Sequence, residues 1–239
     1  MEILLAVLVI VLGSYVQSTA GFGLAIIAAP VLFFLDPAYV PVPITLCALA
    51  LSLANAHFHR ASISFRGLQC ALAGRVPGSL AGAFLLVWIE PRWLALWLGL
   101  SVLVAVVISV RAIPIKPTSG AMFTAGFLSG FMGTSTSIGG PPMALIMQHQ
   151  RAHFIRANLA AFFVVSCLIS LVVLVPTDHF SRQQILLSLP LLPATLIGYW
   201  LARRTWHRVS ANRLRLATLV LCTVSGLAAV ASFWLDWRP

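Results

Sequence analysis

At 239 residues, with 60% hydrophobic residues, 8% charged residues and a mean hydropathy of +1.00, the chain is too apolar for a water-soluble domain, which carries about 25% charged residues. The formal net charge of +10 does not point to nucleic acid, because the fifteen basic residues sit singly or in small groups between apolar runs and form no single patch or tail. At about 20 residues per crossing, the length accommodates about eight to ten helical segments and leaves no room for a soluble domain.

In chain order the apolar segments run Ile3 to Gln17, Leu24 to Leu35, Val40 to Ala56, Gly67 to Ile89, Trp93 to Val110, Ser119 to Met132, Pro142 to Met147, Phe154 to Val175, Ile185 to Ala202 and Leu214 to Leu235. The start, Met1-Glu2-Ile3-Leu4-Leu5, lacks the positive flank of a secretory signal peptide, so the first segment reads as a retained helix. Segments two and seven are too short to span alone, and each is expected to form a hairpin with the segment before it. Three longer helices follow each hairpin. The predicted fold is all-α and polytopic, with two inverted repeats, residues 1–117 and 118–239, each a broken hairpin plus three transmembrane helices.

Small-residue clusters mark the two hairpins: Ser18-Thr19-Ala20-Gly21-Phe22-Gly23, and Gly133 through Thr134, Ser135, Thr136, Ser137, Ile138, Gly139 and Gly140 to Pro141 and Pro142. A helix that breaks inside a bilayer strands backbone N–H and C=O groups, so a break survives only against protein or a wet cavity. Paired breaks in two halves of a chain point to a transporter's substrate site. Spacing supports the repeat: Gly21 and Pro30 match Gly133 and Pro142 at an offset of 112, while Pro77 and Gly82 match Pro193 and Gly198 at 116.

Charge orients the segments. If each hairpin returns to its starting side, one face of the membrane holds Arg60, Arg66, Arg111, Lys116, Arg151, Arg156, Arg203, Arg204, Arg208, Arg213 and Arg215, and the other only Arg92, Arg182 and Arg238. The richer face is cytoplasmic. Both termini are then outside, Asp36 to Val40 faces outward and Gln150 to His153 inward, and three crossings per repeat make the halves inverted.

A half-helix starting near Gly23, or near Gly140 to Pro142, aims N–H groups and a positive dipole end of roughly half a charge at its break. The hydroxyls of Thr134, Ser135, Thr136 and Ser137 add donors, and Gly21, Gly23, Gly133 and Gly139 permit close approach. Phe22 and Pro141 lie within the same clusters. The competing reading is that small residues merely let helices pack closely. Arg75 is the one charge that cannot be placed in a loop, so it either snorkels to the surface or meets an anionic solute.

The remaining polar residues are less telling. Asn55, His57, Gln148, His149 and Asn158 lie near segment ends, as lining of a cytoplasmic vestibule or as ordinary interfacial groups. The seven tryptophans cluster near segment ends as interfacial anchors. Glu2, Asp36, Glu90, Asp178 and Asp236 fall at segment ends or in loops, so no carboxylate relay or sodium site is visible at membrane depth. Cys47, Cys70, Cys167 and Cys222 sit in apolar stretches without metal-ligand spacing. No metal or cofactor is expected. An enzyme is disfavoured because Gly133-Thr134-Ser135-Thr136 lacks the G-x-S-x-G elbow and no base accompanies it.

The run Gly21-Phe22-Gly23 through Pro30, the later Gly126-Phe127-Leu128-Ser129-Gly130-Phe131-Met132-Gly133 through Pro142, and Arg156-Ala157-Asn158 together resemble the TauE/SafE sulfite exporter family over nearly the whole chain. The first motif carries Leu24-Ala25 where the family often has more glycine. The resemblance implies a bacterial inner-membrane carrier that exports sulfite or a related sulfur-containing anion, an organosulfonate or thiosulfate, by alternating access. An anion channel and a non-transporting membrane scaffold are the alternatives.

Overall fold

The computed structural model describes residues 2–110, 115–148, 150–177, 180–205 and 211–234. Arg111, His149, Asp178, Arg208, Asp236 and Arg238, named above, and two of the seven tryptophans, Trp206 and Trp237, lie outside the described residues, as do the side chains of Arg66, Arg213 and Arg215. The described residues form eleven α-helices and no strand: α1 Glu2–Ala20, α2 Leu24–Leu35, α3 Val42–Phe58, α4 Gln69–Trp88, α5 Pro91–Val110, α6 Ser119–Thr136, α7 Gly140–Met147, α8 Ala152–Leu174, α9 Arg182–Ser188, α10 Leu191–Thr205 and α11 Ala211–Trp234. Six stretches among them are long and apolar enough to cross a membrane. At 12 and 8 residues, α2 and α7 fall well short of a bilayer core of about 30 Å at 1.5 Å per residue.

The helices reach further into the small-residue clusters than the sequence suggests. Thr19 Oγ1 donates to the Val16 carbonyl at 2.9 Å, Ser135 Oγ to Phe131 at 2.7 Å and Thr136 Oγ1 to Met132 at 2.8 Å. Such back-bonding satisfies each hydroxyl within its own helix. The breaks shrink accordingly to Gly21–Gly23 and Ser137–Gly139. Conversely, the segment expected as one helix from Ile185 to Ala202 is two, parted at Pro190, whose ring removes an N–H from the ladder. A capping box of Ser181 and Gln184 starts the shorter piece.

Helix pairing rests on close backbone approach. A Cβ on Gly74 or Gly78 of α4 would lie 2.1 Å from the Phe123 or Phe127 carbonyl oxygen of α6, and one on Gly126 would lie 1.9 Å from that of Ala71. On α10, a Cβ on Gly198 would meet the Val11 carbonyl oxygen of α1 at 2.4 Å. In lipid, where apolar contact between helices gains little over contact with acyl chains, this packing holds helices together. Helices α5 and α11 also pack together, as do α3 and α8.

Three helix boundaries recur at one displacement: the ends of α1 and α6 at Ala20 and Thr136, the starts of α2 and α7 at Leu24 and Gly140, and the ends of α3 and α8 at Phe58 and Leu174, each 116 residues apart. The offset of 112 that matches Gly21 with Gly133 recurs at the ends of α2 and α7, Leu35 and Met147. At 116, Gly21 matches Ser137, and both have positive φ. The ends of the molecule are distinct in character: Ile3, Tyr39 and Arg182 line one groove near the start of α3, while Arg203 stacks 4.1 Å over Phe58 at the far end of that helix.

Two apolar cores fill the interior. One surrounds α2, with Leu24, Ile27, Leu32 and Phe33 buried against Ile44 and Leu51 of α3. The other surrounds α7, with Met143, Ile146, Phe162 and Leu68. Phe22 packs against both, which places the first break at their junction.

Candidate anion-binding cavity

Each break is held open by its own backbone chemistry. Gly21 at φ 92° and Gly23 at φ 133° adopt conformations that L side chains rarely reach. In the second break Ser137 is left-handed at φ 64°, ending α6. Its Oγ donates to the Pro41 carbonyl at 2.9 Å and lies 3.2 Å from Thr45 Oγ1, so two contacts from the start of α3 stabilise a costly backbone state.

The breaks meet. A Cβ on Gly140 would stand 3.0 Å from Phe22 Cβ, and between them lies a cavity of about 40 Å³. That volume holds a few waters or one small oxyanion. Its wall combines Gln17, Phe22, Gly23, Ala25 and Ile26 of the first hairpin with Gly133, Ser137, Ile138, Gly139 and Gly140 of the second. Thr45 and Ala48 of α3, Arg75 of α4, and Phe163, Ser166 and Cys167 of α8 complete it.

Arg75 is the only charged side chain in this wall and is 3% exposed, so it does not snorkel. Nη1 donates to the Ser129 carbonyl and, at 3.1 Å, to Ser129 Oγ. Nη2 donates to Ser170 Oγ at 2.7 Å and to the Ser166 carbonyl at 3.3 Å. Each of these acceptors is neutral, and Nε has none among the described residues. A buried guanidinium with no hydrogen-bonded counter-charge among the described residues is costly in a membrane interior.

The helix start of the first hairpin adds donors. The first intrahelical bond of α2 runs from Ile27 N to the Gly23 carbonyl, and Gly23 provides no side-chain cap. The Leu24 N–H is taken by Gln17 Oε1 at 3.2 Å. The N–H groups of Ala25 and Ile26, both on the cavity wall, meet no acceptor among the described residues. These are the orphan donors every helix N-terminus carries, with its positive dipole end. By contrast α7 opens Gly140-Pro141-Pro142, and two of its first three residues have no N–H to offer.

The structure thus gathers Phe22, Gly23, Arg75, Gly133, Ser137, Gly139 and Gly140 around one cavity. Gly21 lies against Leu159 and Arg156 of α8, Pro141 is buried in α7, and Thr134 bonds Ser170 Oγ at 2.8 Å. Ser135 accepts from Trp97 Nε1 at 2.9 Å, and Thr136 is spent on its own helix. None of these five is on the wall. Gln17, Thr45 and the Ser166/Ser170 pair escaped the sequence reading. The i, i+4 spacing of the two serines, one face of α8, was the available signal; Gln17 gave none beyond being polar one turn before a break.

These features define a polytopic helical membrane protein whose interior holds a small cationic cavity at two helix breaks. The family described as Sulfite exporter TauE/SafE matches residues 5–229, and the chain belongs to it. No curated protein and no solved structure matches the chain. Family membership makes the chain a membrane transporter of the sulfite and anion exporter class.

Proposed function

We propose that the protein exports a small, singly charged sulfur oxyanion, sulfite in its protonated form or a small sulfonate, through the cavity between the two breaks. The observation that carries this reading is the convergence of donors without acceptors. Ala25 and Ile26, whose N–H groups meet no acceptor among the described residues, line the same cavity as Arg75, whose Nε has no partner among those residues either. One positive side chain and no negative one favour a single negative charge. Expelling such an anion is aided by about 2.3 kcal/mol per 100 mV of inside-negative potential.

The mechanism proposed is alternating access by two inverted repeats, residues 1–117 and 118–239, in a bacterial inner membrane with both termini outside. The displacement of 116 shared by three helix boundaries supports the repeats. So does the exchange of partners, α1 with α10 and α6 with α4, since a two-fold operation converts one pair into the other. The test is counterflow in proteoliposomes across sulfite, thiosulfate, sulfate and methanesulfonate. Saturable exchange of sulfite or methanesulfonate with weak sulfate transport is expected, and S135A/T136A should retain it. Single-channel conductance steps would instead establish a pore, and no flux of any anion would leave a scaffold.

A further inference from the structure

Gln17 occupies the last turn of α1 and is 8% exposed. Its Oε1 accepts the Leu24 N–H at 3.2 Å, and the side chain lines the cavity that also holds Arg75. An amide has one acceptor end and one donor end. Since the backbone N–H of Leu24 claims the oxygen, the orientation of the group is fixed, and its NH₂ must point elsewhere. Among the described residues Nε2 has no acceptor.

We infer that Gln17 is an anion-binding residue of the cavity, its Nε2 donating to the solute while its Oε1 is anchored on the first N–H of α2. The inference rests on the proposed anion site and adds to it a neutral donor. Arg75 supplies charge, and the neighbouring N–H groups of Ala25 and Ile26 supply backbone donors; Gln17 supplies a directional hydrogen bond whose sense excludes a solute that offers only donors. Its position explains why a long polar side chain is tolerated where α1 meets the break: a shorter one would not reach Leu24 across the Gly21–Gly23 turn.

The alternative role is a purely structural cap on α2, and one substitution separates the two. In Q17E the carboxylate is at least as good a cap, because a negative charge at a helix N-terminus is stabilising. Yet it offers the cavity a second oxygen in place of an NH₂, beside the anion. Sulfite binding to the purified full-length protein is measured by titration calorimetry at neutral pH, with thermal unfolding of each variant alongside. Q17E should unfold at or above the wild-type temperature but bind sulfite at least about 100-fold more weakly. Q17M, isosteric and without a donor, should lose about tenfold. Wild-type affinity in a folded Q17E overturns the inference while leaving the anion site intact. If wild-type protein itself binds neither sulfite nor methanesulfonate, the anion reading falls first. Should Q17E fail to fold, Q17M decides: unchanged affinity in a folded Q17M equally overturns it.

Discussion

The guanidinium of Arg75 stands in the space a side chain on Gly133 would fill: a Cβ built on that glycine would lie 2.7 Å from Nη1 and 2.9 Å from Nη2. In the proposed repeat, Gly133 is the counterpart of Gln17, so one half-site presents an amide from its own helix and the other a cation borrowed from α4. Position 133 is therefore glycine for the sake of its neighbour. G133A should push aside the end of a flexible side chain, costing the fold less than about 1 kcal/mol. Anion affinity should fall at least about tenfold, read by calorimetry beside a thermal melt. Unchanged affinity would show that the guanidinium position is immaterial.

Removing the charge tests its purpose from the other side. The guanidinium bonds only neutral acceptors, on Ser129, Ser166 and Ser170, and burying it is costly for the fold alone. R75M should consequently unfold no lower than wild type while losing anion binding altogether. R75K should keep partial function if charge matters more than the fork of N–H groups. A sharp loss of stability in R75M with binding retained would make Arg75 a strut between α4, α6 and α8 instead.

Hydropathy alone reveals most of the helices, because a bilayer demands long apolar runs, though not the division of Ile185 to Ala202 at Pro190, and the two short segments mark the breaks. The limits of the breaks are not legible in the same way. Gly133 to Thr136 read as irregular chain from residue type, yet the hydroxyls of Ser135 and Thr136 fold back on Phe131 and Met132 and α6 stays helical to Thr136. Which hydroxyls face the cavity depends on helix rotation, and neighbouring helices set that. Arg75 stood out because charge is rare in such a chain. Gln17 did not, since its significance lies in Leu24 N–H, a backbone atom that composition cannot reveal.

Close packing of α4 on α6 sets the height of Arg75 and Ser129 together. A Cβ on Gly78 would meet the Phe127 carbonyl oxygen at 2.1 Å, a backbone atom that cannot rotate away, whereas one on Gly120 meets nothing within 4 Å. G78A should destabilise the protein by about 3 kcal/mol through overpacking. G120A, in the exposed first turn of α6, should be neutral or gain about 0.5 kcal/mol from reduced backbone entropy. Thermal unfolding of both variants in the same detergent makes the comparison, and equal melting temperatures would contradict the packing.

At the basic end of the molecule, His59 follows α3 and lies outside the membrane-spanning helices. Burial, followed by the charges of Arg156, His153 and Arg203, pushes its pKa below the ordinary value of 6.5. The unfolded chain therefore binds the proton more readily. Its contribution to stability is full above pH 6.5, declines as the pH falls below that value, and levels off once the folded state is protonated too. H59Q should flatten the wild-type loss of melting temperature on mild acidification. An identical pH profile in both proteins would assign the effect to other groups.

The direction in which the protein sits is testable at two loops. Ala38 lies in the short turn Pro37–Tyr39 before α3, and Gln150 is exposed between α7 and α8. If the hairpins enter from opposite faces, these loops belong to opposite sides of the membrane, because each follows the short helix of its own hairpin. From the eleven-to-three division of basic residues between the two faces, the second loop is expected in the cytoplasm. Single cysteines, A38C and Q150C, are introduced after replacing Cys47, Cys70, Cys167 and Cys222. A membrane-impermeant maleimide should label A38C on intact cells and Q150C only after permeabilisation. Labelling of both from one side would remove the inversion, and with it the geometric basis for exposing one cavity alternately to two compartments.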